Sequence, residues 1–195
     1  KYWTGGVAEA FKVALIKDAR LFAYLCRQAG RLRRRHEATI EHVVRRTATL
    51  HLDHIRLGGD PFEFGAARPL DFGHWAAHKL EVLSNYRVGH GQAVAIGIAL
   101  DSCYAASQGL LTTAQRDRIL EALVATGLPI WDDLLDEKGE SGENVVLKGL
   151  DEFREHLGGQ LTITLPRGIG GKTEVHDIDK AAMNAGIEFL KRAAG

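Results

Sequence analysis

A glutamate, a lysine and three histidines stand at spacings that can do chemistry. Glu9 and Lys12 lie three residues apart in VAEAFK, and His74, His78 and His90 fall within LDFGHWAAHKLEVLSNYRVGHGQAVA, residues 70–95. His74 and His78 are four residues apart, so a helix carries both on one face. One carboxylate and two or three imidazoles in otherwise apolar helical sequence form a donor set for a divalent cation. Three protein ligands leave positions open for substrate, as a catalytic ion requires. Gly73, Gly89 and Gly91 keep side-chain bulk away from His74 and His90. Glu9 sits in an apolar helix face, where an unpaired carboxylate is costly to bury. Either a metal or an ion pair with Lys12 removes that cost.

The elements that must position these groups read mainly as helix. Val7, Phe11, Ala14 and Leu15 mark one face of a first helix, and DARLFAYLCRQA (18–29) reads as a second. A long amphipathic stretch from Glu37 to Leu57 carries Ile40, Val43, Val44, Ala48 and Leu52 as its apolar face. Gly58-Gly59-Asp60-Pro61 breaks it, and a loop runs on to Pro69. Asp71 is a candidate N-cap for a helix over 72–84. Gly89-His90-Gly91 reads as a turn into a buried helix over 92–108, and Thr113 as the cap of the next helix, which Gly127 and Pro129 end. DEKGESGEN (136–144) is a polar surface loop, and a helix over 146–157 stops at Gly158-Gly159. QLTITLP (160–166) alternates as a strand, turns at Gly168, Gly170 and Gly171, and can pair back through 173–175. Asp177 or Asp179 starts a last helix to Arg192. The expected architecture is mainly α, one helical domain over 1–195, with a small β-hairpin near 160–176.

Composition narrows the partners. The 195 residues suffice for one domain with a full core, and 45% are hydrophobic. Lys+Arg and Asp+Glu are both 25, so nothing in the balance favours nucleic acid or an anionic membrane as partner. The run Arg31, Arg33, Arg34, Arg35 reads as a solvated helix end. No apolar run reaches the ~18 residues of a membrane span. Cys26 and Cys103 lack CxxC spacing and read as free thiols of a reducing cytosol, which gives a cytoplasmic expectation. The start, KYWTGGVAEAF, has neither a Met nor a signal-peptide pattern and opens almost directly on a candidate ligand. The expectation is a part of a longer protein.

In this order and separation, VAEAFK, LDFGHxxxH and HGxAVAIG resemble the C-terminal helical domain of 3-dehydroquinate synthase and its relatives, the sugar phosphate cyclases. The likeness runs from GGVAEAFK through LDFGHWAAHKLE and GHGQAVAIG to LGGQLTITLPRGIG. The resemblance implies a metal, Zn²⁺ or Co²⁺, held by Glu9, His74 and His90. It implies that Lys12 and His78 face substrate, with His78 near the phosphate, and that NAD⁺ is tightly bound. In that family the cofactor reversibly oxidises one substrate hydroxyl, the ketone acidifies the neighbouring C–H, phosphate leaves by β-elimination, and an aldol step closes a carbocycle after the ketone is reduced. The family's NAD-binding domain is N-terminal and Rossmann-like, and its GxGxxG after a strand is absent here; GIGG at 168–171 lacks the spacing. The chain therefore resembles half of an enzyme, and by itself is expected to bind metal weakly and to turn over nothing.

Departures from dehydroquinate synthase bear on substrate. Asp71 stands where that enzyme has Asn near a substrate carboxylate; an anionic Asp71 repels a carboxylate but accepts hydrogen bonds from hydroxyls. FREHLGG (153–159), with His156, replaces a Lys-containing segment. Asp71 and His156 resemble the relatives that cyclise sedoheptulose 7-phosphate, the 2-epi-5-epi-valiolone synthase type. The family's anion-binding cations fall on Arg46, Arg68 and Arg154, each of which is equally readable as a surface arginine. Gln92 replaces a Glu of the family pattern. His36, His42, His51, His54 and His176 have no motif around them and read as surface or structural. The leading expectation is a carbon–oxygen lyase acting on a heptulose phosphate. Dehydroquinate synthase itself and a non-catalytic helical scaffold are the alternatives, and a homodimer is implied by the family alone.

Overall fold

The buried helix expected around AVAIGIAL is the axis of the architecture. The computed structural model describes residues 2–58, 71–156 and 160–195, with the backbone alone at 2, 54, 55, 57, 58, 155 and 156. In α5 (His90–Ser107) every residue from 93 to 105 is buried. A helix that is apolar on all sides must be surrounded, and α1 (Tyr2–Lys17), α4 (His74–Leu83), α6 (Thr113–Ala125) and α8 (Lys180–Ala194) pack around it. The remaining described helices are α2 (Ala19–Arg33), α3 (Glu37–Gly58) and α7 (Lys148–His156), with a 3₁₀ turn at Asp133–Asp136.

Two glycine pairs bring α1 and α4 to backbone contact with α5. A Cβ on Gly91 would lie 2.0 Å from the Cα of Gly5, and one on Gly97 would lie 2.0 Å from the carbonyl oxygen of Gly73. Gly73 also has φ 76°, a conformation that glycine adopts without a steric penalty. These approaches set the ends of three helices side by side, and Glu9, His74 and His90 lie there.

The β-hairpin forms as expected. β1 (Ile163–Pro166) pairs antiparallel with β2 (Lys172–Val175), Ile163 opposite Val175 and Pro166 opposite Lys172. β1 is buried throughout and rests on α5 and α1. The turn is tied to α1 by the Gly170 N–H, which donates to the Leu15 carbonyl at 2.7 Å. His176 closes the base, its Nδ1 lying 2.9 Å from the Leu161 carbonyl oxygen.

Several boundaries differ from the sequence expectations. The N-cap of α4 is Gly73 rather than Asp71. α5 begins at His90, so the expected turn residue is the first of the helix, and the Gln92 side chain accepts from the Gly89 N–H at 3.2 Å. That contact needs an amide or carboxylate oxygen three residues into the helix, which Gln92 supplies as a Glu would. Thr112, not Thr113, caps α6: its Oγ1 accepts from the Gln115 N–H while Gln115 Oε1 accepts from the Thr112 N–H. Asp179, not Asp177, caps α8. The loop 136–144 is not wholly a surface loop, because buried Asn144 donates to the Leu135 carbonyl and accepts from the Val146 N–H.

The largest difference is in α3. Val43 is buried, but Val44 and Leu52 are 60% and 63% exposed, so the expected face meets the core at Ile40 and Val43, while Leu50, outside that face, also packs against it. The expected loop to Pro69 and the stop at Gly158-Gly159 lie outside the described residues. Cys26 and Cys103 are both free, Cys103 buried with its thiol pushed up to about 12 by burial. Among the described residues, no helix is long and apolar enough to cross a membrane.

Candidate metal centre

Glu9 and Lys12 share one turn of α1, and the two carboxylate oxygens of Glu9 divide their tasks. Oε2 lies 2.6 Å from Lys12 Nζ, an ion pair in which Lys12 is buried. Oε1 points the other way, 3.6 Å from His74 Nε2 and 3.4 Å from His90 Nε2. Of the two readings of Glu9 left open by the sequence, the ion pair with Lys12 forms at Oε2, and Oε1 is left facing the imidazoles.

Each imidazole is anchored through its other nitrogen. His74, at the start of α4, has Nδ1 3.1 Å from the carbonyl oxygen of Phe72. His90, at the start of α5, has Nδ1 3.2 Å from Glu81 Oε2. A carbonyl oxygen only accepts, so His74 Nδ1 carries the hydrogen and its Nε2 presents a lone pair; His90 Nδ1 can donate to Glu81 in the same way. Glu9 Oε1 is buried and has no hydrogen-bond donor. Three donor atoms thus converge around a buried carboxylate oxygen, an arrangement that a divalent cation would satisfy. Their donor atoms all lie within 4.8 Å of one another. Ligands ~2.1 Å from one tetrahedral ion stand ~3.4 Å apart, close to the two distances to Oε1.

The electrostatics favour the ligand forms. Burial pushes His74 down to about 4, with the Lys12 charge acting in the same direction, so its ring is neutral at physiological pH. Burial alone would raise the Glu9 carboxyl, but the charge and hydrogen bond of Lys12, the largest opposing causes, hold the group below the usual carboxylate range. A neutral imidazole and an ionised carboxylate are what a divalent ion takes.

The other expected site residues are placed less uniformly. His78 is exposed; its ring lies 5.7 Å from that of His74 and 6.5 Å from that of His90, so it adjoins the cluster without joining the convergent donors. Asp71 is half-buried, next to the Phe72 whose carbonyl anchors His74. A cavity of about 460 Å³ opens beside Glu9, Glu81, Tyr86, His90 and Gln92. Neither Arg46 nor Arg154 lines it. Arg46 donates through Nε and Nη2 to Asp18 at 2.8 and 2.6 Å, and Asp18 is the N-cap of α2. Arg154 pairs with Asp151 at 2.6 Å on α7. Arg68 lies outside the described residues, and so does the side chain of His156. Of the histidines expected to be structural, His36 contacts Thr39 Oγ1 at 3.0 Å and His42 packs on Tyr24.

Two supporting residues escape the sequence reading. Glu81, the anchor of His90, is seven residues after His74, a spacing that returns to the same helix face. Asp101, wholly buried in α5, accepts from the Gly73 N–H at 3.0 Å and from the Trp75 indole N–H at 2.8 Å. It thereby ties down the Gly73 backbone and the Trp75 side chain, the neighbours of His74 on either side. A single charge in the apolar run AVAIGIALDSCYA was the available signal.

Comparison with known proteins agrees with this geometry. The profile described as 3-dehydroquinate synthase C-terminal matches residues 6–143. The chain belongs to that family. Family members similar to it include a 2-epi-5-epi-valiolone synthase of Actinoplanes sp., 34% identical over all of this chain and 49% of that protein. Another, from Streptomyces albus, is 33% identical over 93% of this chain and 44% of its own length. A 3-dehydroquinate synthase of Pelotomaculum thermopropionicum is 30% identical over 97% of the chain and 51% of that protein. Among solved structures, the 2-epi-5-epi-valiolone synthase of Streptomyces hygroscopicus subsp. jinggangensis, with NAD⁺ and Zn²⁺ bound, superposes with TM-score 0.86 at 29% identity. That superposition covers 98% of this chain and 51% of the other. The fold is thus that of the helical part of a sugar phosphate cyclase, and the chain spans about half the length of the relatives it matches.

Proposed function

We propose that the chain is the metal- and substrate-binding half of an NAD⁺- and divalent-metal-dependent sugar phosphate cyclase. The observation that carries this is the convergence of Glu9 Oε1, His74 Nε2 and His90 Nε2, donor atoms that all lie within 4.8 Å of one another. The donor set suits Zn²⁺ and also Co²⁺. When bound, such an ion supplies Lewis acidity that polarises substrate oxygens and lowers the pKa of a hydroxyl. NAD⁺ is assigned mainly to an N-terminal Rossmann-like half outside residues 1–195, the reading supported by the relatives' greater length. Without that half these residues are proposed to catalyse nothing. The cytoplasm is the proposed compartment, and a homodimer the proposed assembly.

Within the chain the roles divide. Glu9, His74 and His90 hold the ion. Lys12, paired with Glu9 Oε2, stands beside oxygen that gains negative character during elimination and aldol closure. His78, exposed at the edge of the cluster, meets the phosphate. The phosphate's further cation is proposed among Arg68, Arg154 and Arg46, the last of which must leave Asp18 to serve. Asp71 and His156 select for a polyol over a carboxylate, which assigns sedoheptulose 7-phosphate as substrate and a valiolone-type cyclitol as product. Agreement with several valiolone synthases supports that choice. The 3-dehydroquinate synthase reaction is the second reading, supported by the Pelotomaculum relative.

Incubating the full-length protein, NAD⁺ and Zn²⁺ with each substrate decides between them. Phosphate release and a cyclitol from sedoheptulose 7-phosphate are expected. Phosphate release from the carboxylate-bearing heptulosonate phosphate of the shikimate pathway alone would reject the assignment.

A further inference from the structure

The two histidines of the cluster are held by unlike means. The His74 side chain is 11% exposed, so packing fixes its ring, and a backbone carbonyl suffices to orient it. The His90 side chain is 49% exposed at the first position of α5, where packing fixes little. Its orientation depends on Glu81, whose carboxylate side chain is only 16% exposed and lines the same cavity. Glu81 is in turn carried on α4, the helix that carries His74, so one element sets both imidazoles.

We propose that Glu81 is a positioning residue of the metal centre, acting through His90. Its carboxylate holds the Nδ1–H tautomer, aims Nε2 at the position shared with Glu9 Oε1, and raises the donor strength of that nitrogen. The inference rests on the metal reading of Glu9, His74 and His90. The backbone role of residue 81 is separate from its side chain. The Glu81 carbonyl accepts from Ser84 Oγ at 3.0 Å and from the Tyr86 N–H at 2.8 Å, which closes the turn after α4. Side-chain substitutions leave those bonds in place.

The test is chelator competition for Zn²⁺ with the full-length protein and its Glu81→Ala and Glu81→Gln variants, together with visible spectra of the Co²⁺ forms. Glu81→Ala is expected to lose about 10- to 100-fold in metal affinity and to shift the Co²⁺ bands. Glu81→Gln is expected to lose less, because its amide oxygen still accepts from Nδ1–H. A purely structural role would lower the melting temperature of the metal-free protein and leave affinity and spectrum alone. Parental affinity and an unchanged Co²⁺ spectrum in Glu81→Ala would overturn the inference. If the parent takes up no stoichiometric ion, the reading of the centre itself fails, a different result from the first.

Discussion

At the scale of single residues, Glu9 illustrates how two functions share one side chain. Oε2 is committed to Lys12 and Oε1 to the imidazole cluster. Lys12→Met should therefore leave metal bound while lowering kcat of the full-length enzyme by about 10²–10³-fold, the range for loss of one oxyanion-stabilising group. Metal content and kcat measured on the same preparation check this; joint loss of both would reduce Lys12 to a partner of Glu9. Glu9, Lys12, His74 and His90 were legible in the sequence because few arrangements place such groups in apolar helices at these spacings. Glu81 was not, because an acidic residue on a helix reads as solvated until the nitrogen it faces is located. The partner of Arg46 was not legible either: no local pattern reveals that Asp18, 28 residues away, engages its guanidinium.

At the scale of elements, the helices were read from apolar spacing, and most exist where expected. Some ends were displaced by one or two residues, since Asp71 and Thr113 are good caps by type but the backbone turns beside them, whereas Asp179 was one of the two caps expected for α8. α3 shows a deeper limit. An amphipathic pattern identifies a face, not whether anything covers it, and Val44 and Leu52 are left largely exposed. The junction of α4 and α5 depends on Asp101, which burial pushes up to about 7 although the Trp75 and Gly73 hydrogen bonds oppose the rise. Between its ordinary value of 3.8 and about 7, the folded protein holds a proton that the unfolded chain has lost. Stability from this group is therefore complete below 3.8 and falls as pH rises through that window. Asp101→Asn should cost about 1–3 kcal/mol at pH 5, because one amide oxygen cannot serve two donors. The gap should narrow by pH 8, as the parent alone loses stability. Denaturant melts of the metal-free proteins at both pH values check this, and a gap that is constant or widens would contradict it.

At the scale of the whole molecule, fold class and site agree because α5 organises both. Gly91 and Gly97 let α1 and α4 reach its backbone, and the contact places three ligands from three helices around one point. That convergence could not be read from spacing, since Glu9 and His74 are brought together by packing across 65 residues of chain. The chain spans about half the length of the relatives it matches. The most direct measurement is the metal content of the purified full-length protein beside its His74→Ala variant. One Zn²⁺ or Co²⁺ per chain in the parent and none in the variant is the predicted result. A parent without a stoichiometric divalent ion, or a variant that retains one, would contradict the assignment of Glu9, His74 and His90 as its ligands.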